Sequence, residues 1–349
     1  MNRSKKIIIT FCIFFNFVFT LSASALKQMK ALNKNGIFEK QAIVGNVIFN
    51  YAEGSDNGPV LLMLHAQLLD WYTYHLVLPE LSKNFHVFAV DYPGHGKTIL
   101  PTDYEMTANQ IGSDLALFIE EVCGGKEQKI FVTGNSSGGL LAMWLCSHRP
   151  DLIAGAVLED PPLFSSEYPV VQKTVANKAF TMSYNAVENN QTEDFLMYWV
   201  DNGKQFFETY AGKKGQKKVK SYVKLYRFFH PNKPVDFSGK GPSVQEMLRG
   251  LDMYNPAFGR AFYTGDWNKD FSHEEYLQKI QCPVLLIQAD FDYLEDGTLN
   301  GAMSKEMAEK ACQLIPDCQY VKFNCGHVTN LESPELFSKT VIDFLGGIK

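Results

Sequence analysis

The sequence lacks the features that would place it in several common classes of protein. It has only seven cysteines and eight histidines among 349 residues, and no Cys and His spacing matches a zinc site. There is no internal repeat and no low-complexity tract. The formal net charge of −5, without any nucleic-acid-binding fold signal, argues against nucleic acid as a partner. We therefore expect a globular protein with a small-molecule ligand, and no metal.

Long hydrophobic runs are also scarce, and the one at the N-terminus is short. Basic residues precede an apolar run at residues 7–21, and Ala23-Ser24-Ala25 follows as a small-residue cleavage site. This order is typical of a secretory signal peptide, which we predict at residues 1–25. The run is shorter than a membrane span of ~20 residues, although an uncleaved anchor is the alternative. The prediction is an exported protein, either periplasmic or secreted.

Once Cys12 leaves with the signal peptide, six cysteines remain, and they allow fifteen complete pairings. Cys312 and Cys318 flank a short loop and could be bridged. Cys282 and Cys318 begin adjacent predicted strands, so they are also plausible neighbours. Cys146 is expected to be a buried apolar side chain. The sequence leaves the disulfide connectivity and the oligomeric state open.

The most informative segment is Gly134-Asn135-Ser136-Ser137-Gly138, which lies between an apolar strand pattern and a helical pattern. G-x-S-x-G at a strand-to-helix turn is the signature of a nucleophile elbow, in which a sharp turn exposes the serine hydroxyl. Small residues on both sides let the neighbouring chain pass close by. A second frame, centred on Ser137, lacks glycine two residues before the serine. Ser136 is therefore the predicted nucleophile.

A base and an acid follow in the order that this motif requires. Pro283–Gln288 is predicted to be a buried strand, and Ala289-Asp290-Phe291-Asp292 follows it as a loop. A further strand, Gln319–Phe323, leads into a loop that contains His327. A serine hydroxyl needs an imidazole to take its proton, and the imidazole needs a carboxylate to fix its tautomer. Ser136, Asp292 and His327 are the predicted catalytic residues.

These motifs make the chain resemble the α/β-hydrolase superfamily from about residue 40 to the end. The segment from Val60 to Gln67 is similar to the family's strand and oxyanion loop, and Asp91–Thr98 is similar to its D-x-P-G-x-G-x-S loop. The resemblance implies a mostly parallel, doubly wound α/β sheet of about eight strands. It also implies that the backbone N–H groups of Gln67 and Ser137 form the oxyanion hole.

The sequence departs from the family pattern at three positions. Ala66 replaces a glycine of the oxyanion loop, which narrows the backbone angles available there. Asn135 replaces the histidine that often precedes the nucleophile. Ala289 replaces the glycine that usually lies three residues before the acid. Three other acidic residues compete with Asp292: Asp290 in the same loop, and the Glu159-Asp160 pair after the preceding strand, where some members of the family place the acid.

The resemblance also implies a cap between strands 6 and 7. We predict a core at residues 40–161 and 271–349, with a helical cap or lid at residues 162–270. The cap sequence is rich in aromatic residues, which we expect to form its own core and to line an apolar pocket. A cluster of six lysines and Arg227 between residues 213 and 227 is predicted to be a solvated helix face. Attraction of this cluster to an anionic membrane surface is the alternative.

The predicted function is a serine hydrolase that cleaves an ester-type bond of a small, partly apolar substrate through an acyl-enzyme. This chemistry needs no metal and no organic cofactor. The serine nucleophile argues against the epoxide hydrolase and haloalkane dehalogenase branches, which use aspartate. The same triad serves amidases, aminopeptidases, lactonases and C–C bond hydrolases, so these alternatives stay open. A non-catalytic ligand-binding member of the fold is an alternative of another class.

Overall fold

The computed structural model describes residues 28–204, 207–208, 212–231, 233–236 and 242–348. The predicted signal peptide at residues 1–25 lies outside this part of the chain. In chain order the strands are β1 (Phe38–Val44), β2 (Val47–Glu53), β3 (Val60–Leu64), β4 (His86–Asp91), β5 (Ile130–Asn135), β6 (Ile153–Glu159), β7 (Val284–Gln288), β8 (Asp292–Tyr293), β9 (Leu299–Asn300) and β10 (Cys318–Lys322).

Eight of these strands form one sheet, in the order β1-β2-β4-β3-β5-β6-β7-β10. β1 pairs antiparallel with β2, and β2 antiparallel with β4, whereas the strands from β4 to β10 pair in parallel. β8 and β9 form a separate small hairpin. The sheet confirms the predicted mostly parallel α/β fold and its number of strands.

Both faces of the sheet are covered, and the side-chain alternation of β3 shows it. Leu62 and Leu64 point into one buried apolar cluster, while Leu61 and Met63 point into another on the opposite face. Strands that are buried on both sides are rich in consecutive apolar residues, as in the whole of β3 and the first residues of β5 and β7. This double cover is the reason that these segments lack the alternation of polar and apolar residues seen in surface strands.

The helices of the core follow the strands in the expected crossover positions. They are α1 (Leu78–Leu81), α2 (Ala108–Glu121) and α3 (Ser137–His148) in the first half of the chain. Between β6 and β7 lie α4 (Asn177–Glu188), α5 (Phe195–Asn202), α6 (Gly215–Phe229), α7 (Pro242–Leu251), α8 (Pro256–Thr264) and α9 (His273–Leu277). α10 (Lys305–Leu314), α11 (Thr329–Glu332) and α12 (Pro334–Leu345) complete the chain.

Helices α4 to α8 lie within the segment predicted to be a cap, and their aromatic side chains pack on one another. Phe180 of α4 stacks on Phe262 of α8 at 4.9 Å between ring centroids, and Tyr184 stacks on Tyr263 at 4.3 Å. Phe262 stacks in turn on buried Trp267. The aromatic richness of this segment therefore builds its own core. The division of the chain into core and cap at residues 161 and 271 stays a prediction.

Most of the basic cluster lies on α6, whose buried side holds Val219, Val223 and Tyr226, while Lys213 and Lys214 precede the helix. Lys217, Lys218 and Lys224 face solvent. Arg227 forms ion pairs with Asp194 and Asp252, which come from other parts of the chain. The cluster thus has acidic partners that its own stretch of sequence does not contain. None of the helices in the described part of the chain has the length and apolarity to cross a membrane.

One disulfide is present in the described residues, between Cys312 at the end of α10 and Cys318 at the start of β10. It is one of the two pairings that the sequence made plausible. Cys146 is buried on α3, as expected, and Cys282 lies before β7 as a free thiol.

Candidate active site

The turn between β5 and α3 has the geometry of a nucleophile elbow. Ser136 adopts φ 55° and ψ −120°, a strained conformation for a residue with a side chain. Its backbone N–H donates to the carbonyl oxygen of Glu159 at 2.9 Å, and its own carbonyl accepts from Leu140 at 3.1 Å. These hydrogen bonds fix the serine between the end of β6 and the first turn of α3.

The glycines of the motif are there because the chain passes itself at contact distance. A Cβ at Gly134 would overlap the carbonyl group of Gly138, and a Cβ at Gly138 would overlap the carbonyl groups of Leu64 and His65. Any side chain at either position would push the elbow away from β3 and β5. The spacing of the motif is therefore a direct result of how closely α3 begins on the strand ends.

The predicted base, His327, lies in the loop after β10 and is held by a carboxylate. Nδ1 of His327 lies 2.7 Å from Oδ2 of Asp160, the residue that follows β6. Burial lowers the pKa of His327, but the hydrogen bond and the charge of Asp160 outweigh it, and the pKa is raised above its ordinary value. A carboxylate on Nδ1 leaves Nε2 as the nitrogen that can accept a proton.

Asp160 is built into the sheet edge rather than carried on a free loop. It is buried, with φ 43°, and its backbone N–H donates to Ile287 at 2.8 Å. Oδ1 accepts from the N–H of Ala289 at 3.1 Å, which leaves Oδ2 for His327. The carboxylate thus joins the ends of β6 and β7 to the histidine loop.

The prediction of Asp292 as the partner of His327 is wrong. Asp292 is exposed on β8, where its carboxylate accepts from the side chain of Asn300 at 2.6 Å. The chain leaves the sheet edge after Ala289 and turns outward into the β8–β9 hairpin. Asp290, the rival in the same loop, lies 3.5 Å from Lys322. Of the carboxylates considered from the sequence, Asp160 is the one that meets the imidazole.

Two further side chains, those of Asn135 and Glu159, hold the histidine loop in place, although neither was predicted to have this role. Asn135 is buried and donates to the carbonyl oxygens of Glu159 at 3.1 Å and of His327 at 3.0 Å. Glu159 accepts from the hydroxyl of Thr329 at 2.7 Å and from the N–H of Asn330 at 2.9 Å. Burial raises the pKa of Glu159 to about 7. The residue before the nucleophile therefore links the serine turn to the histidine loop.

The predicted oxyanion loop follows β3, and Gln67 lies on the same cavity as Ser136 and Ser137. Leu68, in the same loop, takes up a left-handed conformation with φ 65°. The hydroxyl groups of Ser137 and Tyr92 form a hydrogen bond at 2.9 Å. The Ser137 hydroxyl therefore already has a buried partner. This contact agrees with the choice of Ser136 over Ser137.

The histidines of the neighbouring loops are buried and pack on aromatic rings. His65 stacks on Tyr92 at 4.3 Å, and His95 contacts Phe258 at 4.5 Å. Burial lowers the pKa of His65 to about 3, and it also holds the pKa of His95 well below its ordinary value. Both rings stay neutral at ordinary pH and serve to shape the loops.

One cavity of about 550 Å³ contains Ser136 and His327 in its wall. Its other walls come from the oxyanion loop, from α4, α7 and α8, and from the loops around Asp290 and Asn300. Apolar side chains from these helices include Ala179, Phe180, Met247 and Phe262. A larger cavity of about 660 Å³ lies at the opposite ends of the strands, beside Lys129 and Asp317. None of the predicted site residues lines it. Within the described residues, no three His, Cys, Asp or Glu side chains are grouped as a metal site.

The sequence profile of the α/β-hydrolase fold matches residues 59–334 of this chain. That span contains the elbow, the buried acid and the histidine loop. The chain therefore belongs to the α/β-hydrolase fold family.

Curated members of the family with similar sequences are hydrolases of different kinds. The chain is 35% identical over 343 residues to epoxide hydrolase 3 of Siraitia grosvenorii, with 90% of this chain and 96% of that protein covered. It is 25% identical over 322 residues to monoacylglycerol lipase abhd6-B of Xenopus laevis, with 90% of this chain and 84% of that protein covered.

Among solved structures, a hydrolase from Pseudomonas aeruginosa PA01 superposes with a TM-score of 0.61 at 18% identity, covering 88% of this chain and 98% of that one. This likeness shows the shared fold.

Proposed function

We propose that the protein is a serine hydrolase that cleaves a carboxylic ester of a small, partly apolar substrate. The observation that carries the proposal is the hydrogen bond between His327 and Asp160, at the cavity that also contains the strained turn of Ser136 in its wall. A strained serine turn, a carboxylate-held imidazole and a cavity at the carboxyl edge of a parallel sheet are the parts that acyl transfer needs.

In the proposed reaction, Oγ of Ser136 attacks the ester carbonyl while Nε2 of His327 takes its proton. Asp160 keeps the imidazole in the correct tautomer and stabilises its charged form. The backbone N–H groups of Gln67 and Ser137 stabilise the negative oxygen of the tetrahedral intermediate. His327 then protonates the leaving alcohol, and the acyl group stays on Ser136. A water molecule activated by His327 hydrolyses this acyl-enzyme and regenerates the serine.

The apolar walls of the cavity support a substrate with an apolar portion. Phe180, Met247 and Phe262 contribute aromatic and flexible apolar surface, and the volume of about 550 Å³ suits a molecule of modest size. Asp290, Asn300 and Glu332 add polar groups on another part of the wall. Esters with one apolar and one polar end are therefore the first substrates to try.

Epoxide hydrolysis is the second candidate, because a relative with 35% identity carries that name. The residue at the elbow argues against it. In the epoxide hydrolase branch an aspartate forms the covalent intermediate, whereas this chain has a serine at position 136. Turnover of styrene oxide, with no ester hydrolysis in the same preparation, would favour this candidate over the serine esterase.

Fluorophosphonate labelling followed by peptide mass spectrometry tests the serine assignment. The wild-type protein should be labelled on Ser136, and Ser136→Ala should lose labelling and about 10⁴–10⁶ of ester turnover. Ser166→Ala is the matched control, because Ser166 also lines the cavity but its hydroxyl donates to the carbonyl of Pro162. Wild-type turnover in Ser136→Ala would overturn the proposal.

A panel of p-nitrophenyl esters of increasing chain length, with lactones and aminoacyl amides beside them, then defines the substrate class.

Export of the protein is a separate proposal. It rests on the predicted signal peptide, and the disulfide between Cys312 and Cys318 supports it because such bonds persist in oxidising compartments. N-terminal sequencing of protein recovered outside the cytoplasm tests it.

A further inference from the structure

The oxyanion loop, residues 66–70, is contacted by one short stretch of the helical segment between β6 and β7. This stretch, residues 249–254, covers the end of α7 and the turn before α8. It meets the loop at Gln67, at Leu68 and at Asp70. We refer to it as the brace.

The first contact joins Gln67 to Tyr254. Nε2 of Gln67 donates to the hydroxyl of Tyr254 at 2.6 Å. Tyr254 is itself buried, with its ring against His95 at 5.0 Å between centroids and against Phe195 at 5.3 Å. The next residue, Asn255, donates its backbone N–H to the carbonyl of Gly94 at 2.9 Å. The hydroxyl that receives the Gln67 amide is therefore fixed on a rigid support.

The second contact is an ion pair between Arg249 and Asp70, with the Asp70 side chain only 2% exposed. The guanidinium also lies 4.7 Å from the centre of the Tyr72 ring. The cost of burying Asp70 is met only while Arg249 stays in place. On the other side, the N–H of Trp71 donates to Asp91 at 2.7 Å, which ties the end of the loop to β4.

The third contact is between backbones. A Cβ on Gly250 would overlap the carbonyl group of Leu68, so α7 lies directly on the loop at this point. Leu68 is the residue with φ 65°. A left-handed conformation at a leucine costs of the order of 1 kcal/mol and persists only where the surroundings enforce it. The brace supplies that enforcement.

We propose that Tyr254 and Arg249 are positioning residues that hold the N–H of Gln67 at the oxyanion site. The inference rests on the proposed serine hydrolase function. In this proposal the brace takes part in the chemical step, because it positions the donor that stabilises the oxyanion. Neither residue touches the reacting atoms in this scheme, since each acts through the loop.

The test uses Tyr254→Phe, which removes only the hydroxyl. If the brace positions the oxyanion donor, kcat should fall about tenfold while KM stays within about twofold of wild type, because the lost contact matters only once the oxyanion forms. Affinity for a trifluoromethyl ketone, which forms a tetrahedral adduct, should fall by the same factor as kcat. Affinity for the product carboxylate should not change.

Tyr263→Phe is the matched control. Tyr263 lies on α8 and stacks on Tyr184, so its substitution removes a hydroxyl of the same segment without touching the loop. It should leave kcat, KM and analogue affinity as in wild type. Equal losses in both variants would overturn the proposal, since the effect would then belong to the segment as a whole.

A double-mutant cycle separates positioning from general stability. Gln67→Ala keeps the backbone N–H but removes the amide that Tyr254 receives. If Tyr254 acts through Gln67, adding Tyr254→Phe to Gln67→Ala should lower kcat no further. If the double variant instead shows the product of the two single-variant losses in kcat, the proposal is overturned.

Arg249 is tested together with its partner, because Arg249→Gln alone would leave Asp70 buried and unpaired. The pair Asp70→Asn/Arg249→Gln should fold and show the same split, with reduced kcat and unchanged KM. If this variant and Tyr254→Phe both keep wild-type kcat while Ser136→Ala is inactive, the positioning role of the brace is overturned. The proposed serine hydrolase function would then still stand.

Discussion

The imidazole of His327 and the carboxylate of Asp160 meet at 2.7 Å across 167 residues of sequence. The acid side of the candidate triad therefore comes from the end of β6. The side chain of Asp160 is only 2% exposed, whereas that of His327 is 38% exposed. The buried end of the pair fixes geometry, and the open end faces the cavity.

Asp160→Asn should lower kcat by about 10³–10⁴, because the amide would favour the wrong tautomer of His327. Asp292→Asn is the matched control and should stay near wild type, since its partner is Asn300 on an exposed hairpin. Steady-state kinetics with a p-nitrophenyl ester measure both. A large loss in Asp292→Asn with little change in Asp160→Asn would reverse the assignment.

The pH profile gives an independent check on the same pair. His327 acts as a base only when neutral, and its pKa is raised by Asp160 despite burial. We expect kcat/KM of the wild type to rise with pH through a midpoint above 6.5, the ordinary pKa of histidine. In Asp160→Asn the residual activity should show a lower midpoint. An unchanged midpoint would mean that another group sets it.

Asn135→Asp should destabilise the protein by about 3 kcal/mol and lower ester turnover. The substitution is isosteric, but it removes both N–H donors and places a carboxylate against the carbonyls of Glu159 and His327. Urea unfolding and steady-state kinetics measure the two effects. Asn189→Asp, at an exposed helix end, is the control and should cost less than about 1 kcal/mol. Equal costs would contradict the linking role of Asn135.

Glu159 should make stability fall as pH rises. Burial raises its pKa from 4.5 to about 7 in the folded state, so the folded protein binds more protons than the unfolded chain between these values. The free energy of unfolding therefore decreases across this window, by at most about 3 kcal/mol from this group. Glu159→Gln removes this titrating group. The free energy of unfolding of the variant, relative to wild type, should therefore be higher at pH 8 than at pH 5. Parallel pH dependences of the two unfolding midpoints would refute this.

Removing the disulfide with Cys312→Ser/Cys318→Ser should cost about 2 kcal/mol, because the bond closes only a short loop, with a sequence separation of 6. Thiol titration gives a sharper result. Denatured protein without residues 1–25 should show four thiols before reduction, at positions 123, 146, 282 and 325, and six after it. Two thiols before reduction would indicate a second bridge.

The elbow and the histidine loop were predictable because each depends on a short local pattern. The G-x-S-x-G spacing follows from close backbone contacts at the turn, and the central strand β3 is a continuous apolar run because both its faces are buried. The assignment of Ser136 and His327 as catalytic residues stays a prediction. The structure contradicts the predicted triad in one respect, because the carboxylate that meets His327 is Asp160 and not Asp292.

The carboxylate partner of His327 was misplaced because two loops offered carboxylates, and tertiary geometry brings only that of Asp160 to the imidazole. Asp290 and Asp292 matched a local loop pattern, but the chain turns away from the sheet after Ala289. Asp160 meets His327 because the ends of β6, β7 and β10 are neighbours in the sheet. The contact of Gln67 with Tyr254, 187 residues apart, has no local signal at all.

Placing the acid after β6 has a consequence for the loop that follows β7. The β8–β9 hairpin contributes Asn300 to the cavity wall yet supplies no member of the candidate triad. Under the proposed mechanism, proton transfer therefore places no demand on its length or sequence. Grafting hairpins of other lengths between residues 291 and 301 is a route to new substrate preferences on an unaltered catalytic frame.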